Sequence, residues 1–405
     1  MADLQLNPFV EALKPSATMA MAKRARDLQA AGQSIVSLSA GEPDFDTPAP
    51  IVEAAEQAMR EGWTRYTDNA GLPALRAAIA DKLRRENGLA VDPAQVIVSN
   101  GAKQSVHQAV LALTRPGDEV VSIAPYWVSY PEMVQLAGGT NVVVEATAAD
   151  AYKVRPEALE AAITPRTRLV LLNSPNNPTG AVYTRAELEA IADVLRRHPH
   201  VYVLSDEIYE YVVYGVEHVS IGALDGMAER TITVNGFSKG YAMTGWRLGY
   251  LAAAPAIAKA CDTIQSQTTS APSTISQKAG LAALSMERAH IDAMVEAFRA
   301  RRDRFAARLA ALPGVQLPIP DGAFYLFPDV RGLYGRSVEG RVVESAEEFG
   351  FLLLERYGVA GVPGAAFGAP DAIRFSYASS VEQLDLAADR IERCVTDLMA
   401  SEPRA

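Results

Sequence analysis

Leu169-Val-Leu-Leu172 runs directly into Asn173-Ser-Pro-Asn-Asn-Pro-Thr-Gly180. A short apolar run closed by turn-forming residues reads as a buried strand ending in a loop. The pattern recurs four times. Val96-Ile-Val98 ends in Ser99-Asn-Gly-Ala-Lys103, and Glu119-Val-Val-Ser122 leads to Ala124-Pro-Tyr-Trp127. Val201-Tyr-Val-Leu204 ends in Ser205-Asp-Glu-Ile-Tyr209, and Thr231-Ile-Thr-Val234 ends in Asn235-Gly-Phe-Ser-Lys239. Helical patterns separate these runs, which predicts an α/β fold with a largely parallel sheet flanked by helices. Ligands of open α/β sheets bind at the C-terminal edge of the strands. Chance supplies one or two such polar hand-overs; five point to one shared site.

Lys239 is oddly placed for a solubilising charge, on a tight turn after a buried strand. Burial disfavours its ammonium form and frees the amine, as a Schiff-base lysine requires. Eight positions on, Arg247 lies in Met243-Thr-Gly-Trp-Arg-Leu-Gly249. Its planar fork matches phosphate oxygens. An aldehyde cofactor that carries a phosphate is pyridoxal phosphate. A surface loop lysine is the plain alternative, so the case rests on the partners that the rest of the chain supplies.

The chain has 405 residues, enough for one large domain and a smaller one. Its net charge of −10 and lack of a basic run argue against nucleic acid as the main partner. Cys261 and Cys394 lie far apart in helix-like sequence, which suggests buried free thiols rather than a disulfide. The five histidines show no ligand spacing, so no metal is expected. No apolar stretch approaches membrane-spanning length. Met1-Ala-Asp-Leu-Gln-Leu6 does not read as a secretory leader, so the expected location is cytoplasmic.

Outside the central runs, an amphipathic helix is expected from about Ser16 to Ala31 and a long bridging helix from Ser285 to Leu312. Then follow a strand at Ala323–Phe327, a helix around Ser345–Tyr357, a strand at Ala372–Ser376 and a last helix from Ser380. These elements suggest a large domain over residues 48–298. Residues 1–47 and 299–405 would form a smaller α+β domain.

Taken in order, Asn173–Gly180, Ser205–Tyr209, Ser238-Lys239, Arg247 and Arg374-Phe-Ser-Tyr377 resemble the fold-type I, pyridoxal-phosphate-dependent class I aminotransferases. Lys14-Pro-Ser-Ala-Thr18, Ala40-Gly-Glu-Pro-Asp-Phe-Asp-Thr-Pro48 and Pro125-Tyr-Trp-Val-Ser-Tyr-Pro131 are similar to the bacterial aspartate branch with prephenate-using members. The resemblance covers nearly the whole chain.

It implies a role for each residue. Asp206 would face the pyridine nitrogen and hold it protonated; a helix N-cap is the bare alternative. Asn177 and Tyr209 would donate to the phenolic oxygen, against turn chemistry for one and core packing for the other. Gly101 and Ala102 open a helix whose amides would meet the phosphate, beside Ser238 and Arg247. Trp127 would stack on the ring. Arg374 would grip the α-carboxylate, with a structural ion pair as its rival reading, and Gly41 would let backbone approach the same group. Lys103 opposes the helix dipole as a plain first-turn residue. It resembles the group that meets a side-chain carboxylate, with Ser16 and Thr18 beside it. Tyr66 would cross to the phosphate of a second subunit, which implies a homodimer. The chain departs from the pattern twice. Gln265–Ser270 lacks the arginine of animal-type enzymes, and Gly236 stands where many relatives carry a phosphate-binding serine.

The implied activity is ping-pong transamination through Lys239, from aspartate to 2-oxoglutarate, with prephenate as a further acceptor. Aromatic or alanine aminotransferases, a β-lyase or a γ-carbon synthase would share the cofactor residues. A cofactor-binding regulator would need an added DNA-binding domain, for which the lead before Ser16 leaves no room.

Overall fold

The computed structural model describes residues 6–402. The leader reading at Met1–Gln5 and the outermost parts of the smaller domain's segments lie outside them. The centre is a seven-stranded sheet. In chain order its strands are β1 (Val96–Ser99), β2 (Glu119–Ala124), β3 (Thr140–Glu145), β4 (Thr167–Asn173), β5 (Tyr202–Asp206), β6 (Thr231–Gly236) and β7 (Gly249–Ala252). Their spatial order is β1-β7-β6-β5-β4-β2-β3, and every pairing is parallel except the two made by β7.

Both faces of the sheet are covered. Leu169, Leu171 and Leu204 belong to one apolar cluster, while Val170, Leu172 and Val203 belong to another on the opposite side. Such two-sided burial is why these strands read as continuous apolar runs rather than alternating ones. Register then brings chemistry together: Asn173, the last residue of β4, pairs with Asp206, the last of β5.

The C-terminal third builds a separate core around Phe298, Phe305, Phe324, Phe349 and Phe375. A three-stranded antiparallel sheet places Ile373–Ser376 between Val362–Pro363 and Tyr325–Leu326. The N-terminal segment joins it, because Val36–Ser37 pairs with Val359–Ala360 and Ser376 N–H donates to Leu38 C=O. The expected long helix is present as one piece, Ala289–Ala310; it starts later than expected because Ser285 still ends the preceding Thr274–Ser285 helix. The Ala289–Ala310 helix spans both cores: Ile291 packs with the large-sheet residues, whereas Met294, Phe298 and Phe305 pack with the C-terminal ones. The strand expected at Ala323–Phe327 keeps only Tyr325–Leu326 in the ladder, since Ala323 has φ +53°.

Both cysteines are buried and free. Among the described residues no helix is long and apolar enough to cross a membrane.

Candidate active site

A cavity of about 610 Å³ opens at the C-terminal edge of the sheet. Its floor comes from the ends of β4 and β5, with Asn173, Asn177, Asp206 and Tyr209. The turn after β6 contributes Ser238 and Lys239, and the loop before β7 contributes Arg247. Ala102 and Lys103 enter on the helix after β1, and Trp127 on the loop after β2. Ser16, Thr18, Gly41 and Arg374 close it from the N-terminal and C-terminal segments. Gly101 does not line the cavity itself but lies against the Arg247 guanidinium. Tyr66 does not join this set; it is 93 % exposed.

Lys239 donates its ammonium to the Gly41 carbonyl and lies 5.7 Å from the centre of the Tyr209 ring. Burial pushes its pKa down to about 8 against the pull of Glu42, and the positive fields of Arg374 and Arg247 help. A nucleophilic amine is therefore accessible near neutral pH.

Asp206 is buried. One carboxylate oxygen accepts from Tyr130 Oη at 2.9 Å and the other from Ile208 N–H at 3.3 Å. Burial raises its pKa to about 6, although both hydrogen bonds favour the anion. Turns, not a helix, follow it, so it caps nothing. Among the described residues it has no ion-pair partner at salt-bridge distance. A cationic ring nitrogen would provide one.

Arg374 is 2 % exposed and likewise pairs with no carboxylate among the described residues. Its guanidinium donates to Asn177 Oδ1 and Ser39 C=O, both at 2.8 Å, and stacks 4.5 Å above the Tyr325 ring. Its Nε has no acceptor. Burial lowers its pKa. A buried, under-satisfied guanidinium that faces a cavity suits a bound carboxylate better than a structural ion pair. Asn177 thus has its carbonyl oxygen on Arg374 and its amide nitrogen free for an acceptor.

Tyr209 and Tyr325 share a hydroxyl–hydroxyl bond of 2.7 Å, and burial holds the Tyr209 phenol well above its ordinary pKa. The ammonium of Lys103 stands 5.0 Å over the Trp127 ring, and burial with nearby Arg247 lowers its pKa. Ser16 occupies the N-cap position of the Ala17–Ala30 helix but makes no capping bond.

Three glycines shape the phosphate end. Gly101, with φ +80°, starts the Ala102–Leu113 helix, and a Cβ there would fall 2.5 Å from an Arg247 nitrogen. A Cβ on Gly249 would lie 2.3 Å from the Ala102 amide nitrogen. At Gly236 a Cβ would meet Gly249 Cα at 2.8 Å, so a serine is excluded by close backbone packing. The helix N-terminus and Arg247 thereby form an anion cradle. Amine, buried carboxylate and cradle fit pyridoxal phosphate, which contributes an electron sink for α-carbon chemistry.

Sequence reasoning missed Tyr130 and Tyr325, whose hydroxyls bond two of the site residues: Tyr325 sits in an apolar run that reads as core, and Tyr130, though inside the quoted Pro125–Pro131 stretch, was given no role. It also missed Glu42, although that residue lies in the quoted Ala40–Pro48 stretch, and Met19 and Arg26, which line the cavity with no motif to mark them. The structure also gathers Glu207, Glu210 and His218, which sequence spacing had not linked. Lys82 bonds Glu210 there, so the cluster contains its own cation, and His218 lies 3.1 Å from Glu207.

Fold and site together define an α/β enzyme built for pyridoxal phosphate. The chain belongs to the class I and II aminotransferase family, which matches residues 33–391, and is an aminotransferase dependent on that cofactor. A bifunctional aspartate aminotransferase and glutamate/aspartate-prephenate aminotransferase of Petunia hybrida is 49 % identical over 99 % of this chain and 85 % of its own length. An aspartate/prephenate aminotransferase of Cereibacter sphaeroides is 49 % identical over 96 % of this chain and 98 % of its own. The solved aspartate aminotransferase of Rhizobium meliloti superposes with a TM-score of 0.95 at 41 % identity, covering 98 % of this chain and all of the other. That of Thermus thermophilus with maleate superposes at 0.91 and 44 % identity, covering 96 % of this chain and all of the other.

Proposed function

We propose that the protein transfers the amino group of L-aspartate to 2-oxoglutarate, giving oxaloacetate and L-glutamate, and that prephenate is a second acceptor. The donor loses an ammonium group and its α-hydrogen and gains a carbonyl oxygen; the acceptor does the reverse. No outside oxidant is needed. The observation that carries the substrate class is that Arg374 and Lys103 line one cavity and that, among the described residues, neither has a carboxylate at salt-bridge distance; Arg247, assigned to the phosphate, and Arg26 line it as well. The names of the Petunia and Cereibacter relatives, and the maleate of the Thermus one, support a dicarboxylate.

In this reading Arg374 binds the α-carboxylate with Gly41 backbone beside it, and Lys103 binds the distal carboxylate near Ser16 and Thr18. Lys239 is the amine for the cofactor's aldehyde and moves the α-carbon proton. Asp206 holds the ring nitrogen protonated, Asn177 and Tyr209 bond the phenolic oxygen, and Trp127 covers the ring. Gly101, Ala102, Ser238 and Arg247 hold the phosphate, joined by Tyr66 of a second copy in a cytoplasmic homodimer. Residues 48–298 form the large domain, and residues 1–47 with 299–405 the smaller one.

The test is a half-reaction panel. Purified yellow enzyme is mixed with aspartate, glutamate, tyrosine and alanine, and conversion to the pyridoxamine form is followed by absorbance. Aspartate and glutamate should convert it readily and alanine poorly. Equal conversion by alanine would remove the dicarboxylate reading. Lys103→Ala should lower kcat/KM for aspartate by about 10²-fold or more, the scale for a charge pair, with little change for alanine.

A further inference from the structure

The Ala17–Ala30 helix turns two faces to the protein. Met21 and Ala25 are buried against Val362 and Phe367. Met19 and Ala22, with Ser16 before them, line the cavity instead. Residues three and four apart share a helix face, so this wall is continuous. It is apolar at its middle, between Ser16 and the cavity-lining Arg26, and reachable, since Met19 remains 66 % exposed. Val128 connects it to the rest of the site. Val128 packs against the same cluster as Met21 and Ala25, lines the cavity, and follows Trp127, over which the Lys103 ammonium stands. Met19, Ala22 and Val128 are thus apolar side chains lining the same cavity as the cation assigned to the distal carboxylate.

Neither aspartate nor 2-oxoglutarate has atoms to cover those side chains. Prephenate does. Its pyruvyl side chain and ring carboxylate reproduce the skeleton of 2-oxoglutarate: carboxylate, carbonyl, methylene, quaternary carbon, carboxylate. The quaternary carbon is the γ-carbon, and there the chain closes into a six-membered ring. With its two carboxylates on Arg374 and Lys103, the hydrocarbon must leave from the γ-carbon.

We propose that Met19, Ala22 and Val128 form a subsite for a ring on the γ-carbon of a 2-oxo dicarboxylate, and that this subsite sets the preference for prephenate over 2-oxoglutarate. The inference rests on the dicarboxylate reading above. Met19 suits such a wall, because its unbranched thioether adapts to the shape it meets.

The experiment compares the holoenzyme with Ala22→Phe and Met19→Ala, using aspartate as donor and either acceptor, with circular dichroism and the cofactor absorbance as checks of folding and loading. Ala22→Phe should lower kcat/KM for prephenate about tenfold or more and leave 2-oxoglutarate within about twofold, the scale by which pocket shape discriminates. Met19→Ala should raise KM for prephenate alone. Equal losses with both acceptors, or no loss with prephenate in either variant, would overturn the subsite. Wild-type turnover of 2-oxoglutarate without prephenate would also overturn it, leaving the aspartate reading intact. Failure with both acceptors would sink that reading itself.

Discussion

Asp206 shows how a single residue trades stability for function. Without a cation beside it, burial raises its pKa from 3.8 to about 6. The folded state then binds this proton more tightly than the unfolded chain does. Its contribution to stability is fully present below about pH 4 and is lost as pH rises through 6, by about 3 kcal/mol for a shift of roughly two units. Asp206→Asn is nearly isosteric and carries no charge. In cofactor-free protein the variant should be the more stable form at pH 8, by up to about 3 kcal/mol, and the gap should close near pH 4. Urea unfolding across that range measures it. In the loaded enzyme the ring cation offsets the burial, so the same substitution should weaken cofactor binding and cut turnover on the order of 10²-fold or more. A variant less stable than the parent at pH 8 without cofactor would contradict this account. Much of this site was legible in the sequence, since Asp206, Lys239, Asn177 and Arg374 are polar groups set where buried strands end. The aromatic hydroxyls were not. Tyr130 and Tyr325 bury their rings and expose only one atom to the site chemistry, and no pattern in the chain separates such a ring from packing.

At the scale of elements, the five strands that end in polar clusters were legible because two-sided burial leaves uninterrupted apolar runs. Thr140–Glu145 and Gly249–Ala252 were not. The first is the edge strand β3, partly exposed and mixed in polarity; the second, β7, is short and opens with glycine. Yet β7 positions the phosphate cradle. Gly249 pairs with Ser99 on one side and Gly236 on the other, and it touches the backbone at the start of the Ala102–Leu113 helix. A methyl there meets backbone nitrogen and carbon rather than a flexible side chain, so the helix N-terminus must move. Gly249→Ala should cost about 1–3 kcal/mol by overpacking and weaken the cofactor phosphate contacts about tenfold or more. Thermal unfolding and a fluorescence titration with pyridoxal phosphate read the two effects. Unchanged affinity would show that the helix start does not contact the phosphate.

At the scale of the whole molecule, Tyr66 is the residue that one chain does not explain. Its ring is almost fully exposed, yet its loop is pinned. Gln265 donates to the Asn69 carbonyl, Asn69 donates to Asp262, and Gln277 accepts from Leu72 N–H and donates to Thr67. A rigid loop that presents an uncovered aromatic suits a second copy with two-fold symmetry, in which each Tyr66 serves the other's site. Mixed dimers test this. A Lys239→Ala chain keeps its own Tyr66, and a Tyr66→Ala chain keeps its own Lys239. In a hybrid, one site combines Lys239 of one copy with Tyr66 of the other and is intact; the opposite site has neither. Equal mixing should therefore restore about a quarter of the wild-type activity per chain, above the mean of the two parents. If Tyr66 served its own chain's site, each hybrid would hold one site lacking the lysine and one lacking the tyrosine. Activity would then stay at that mean, and the shared site would be excluded.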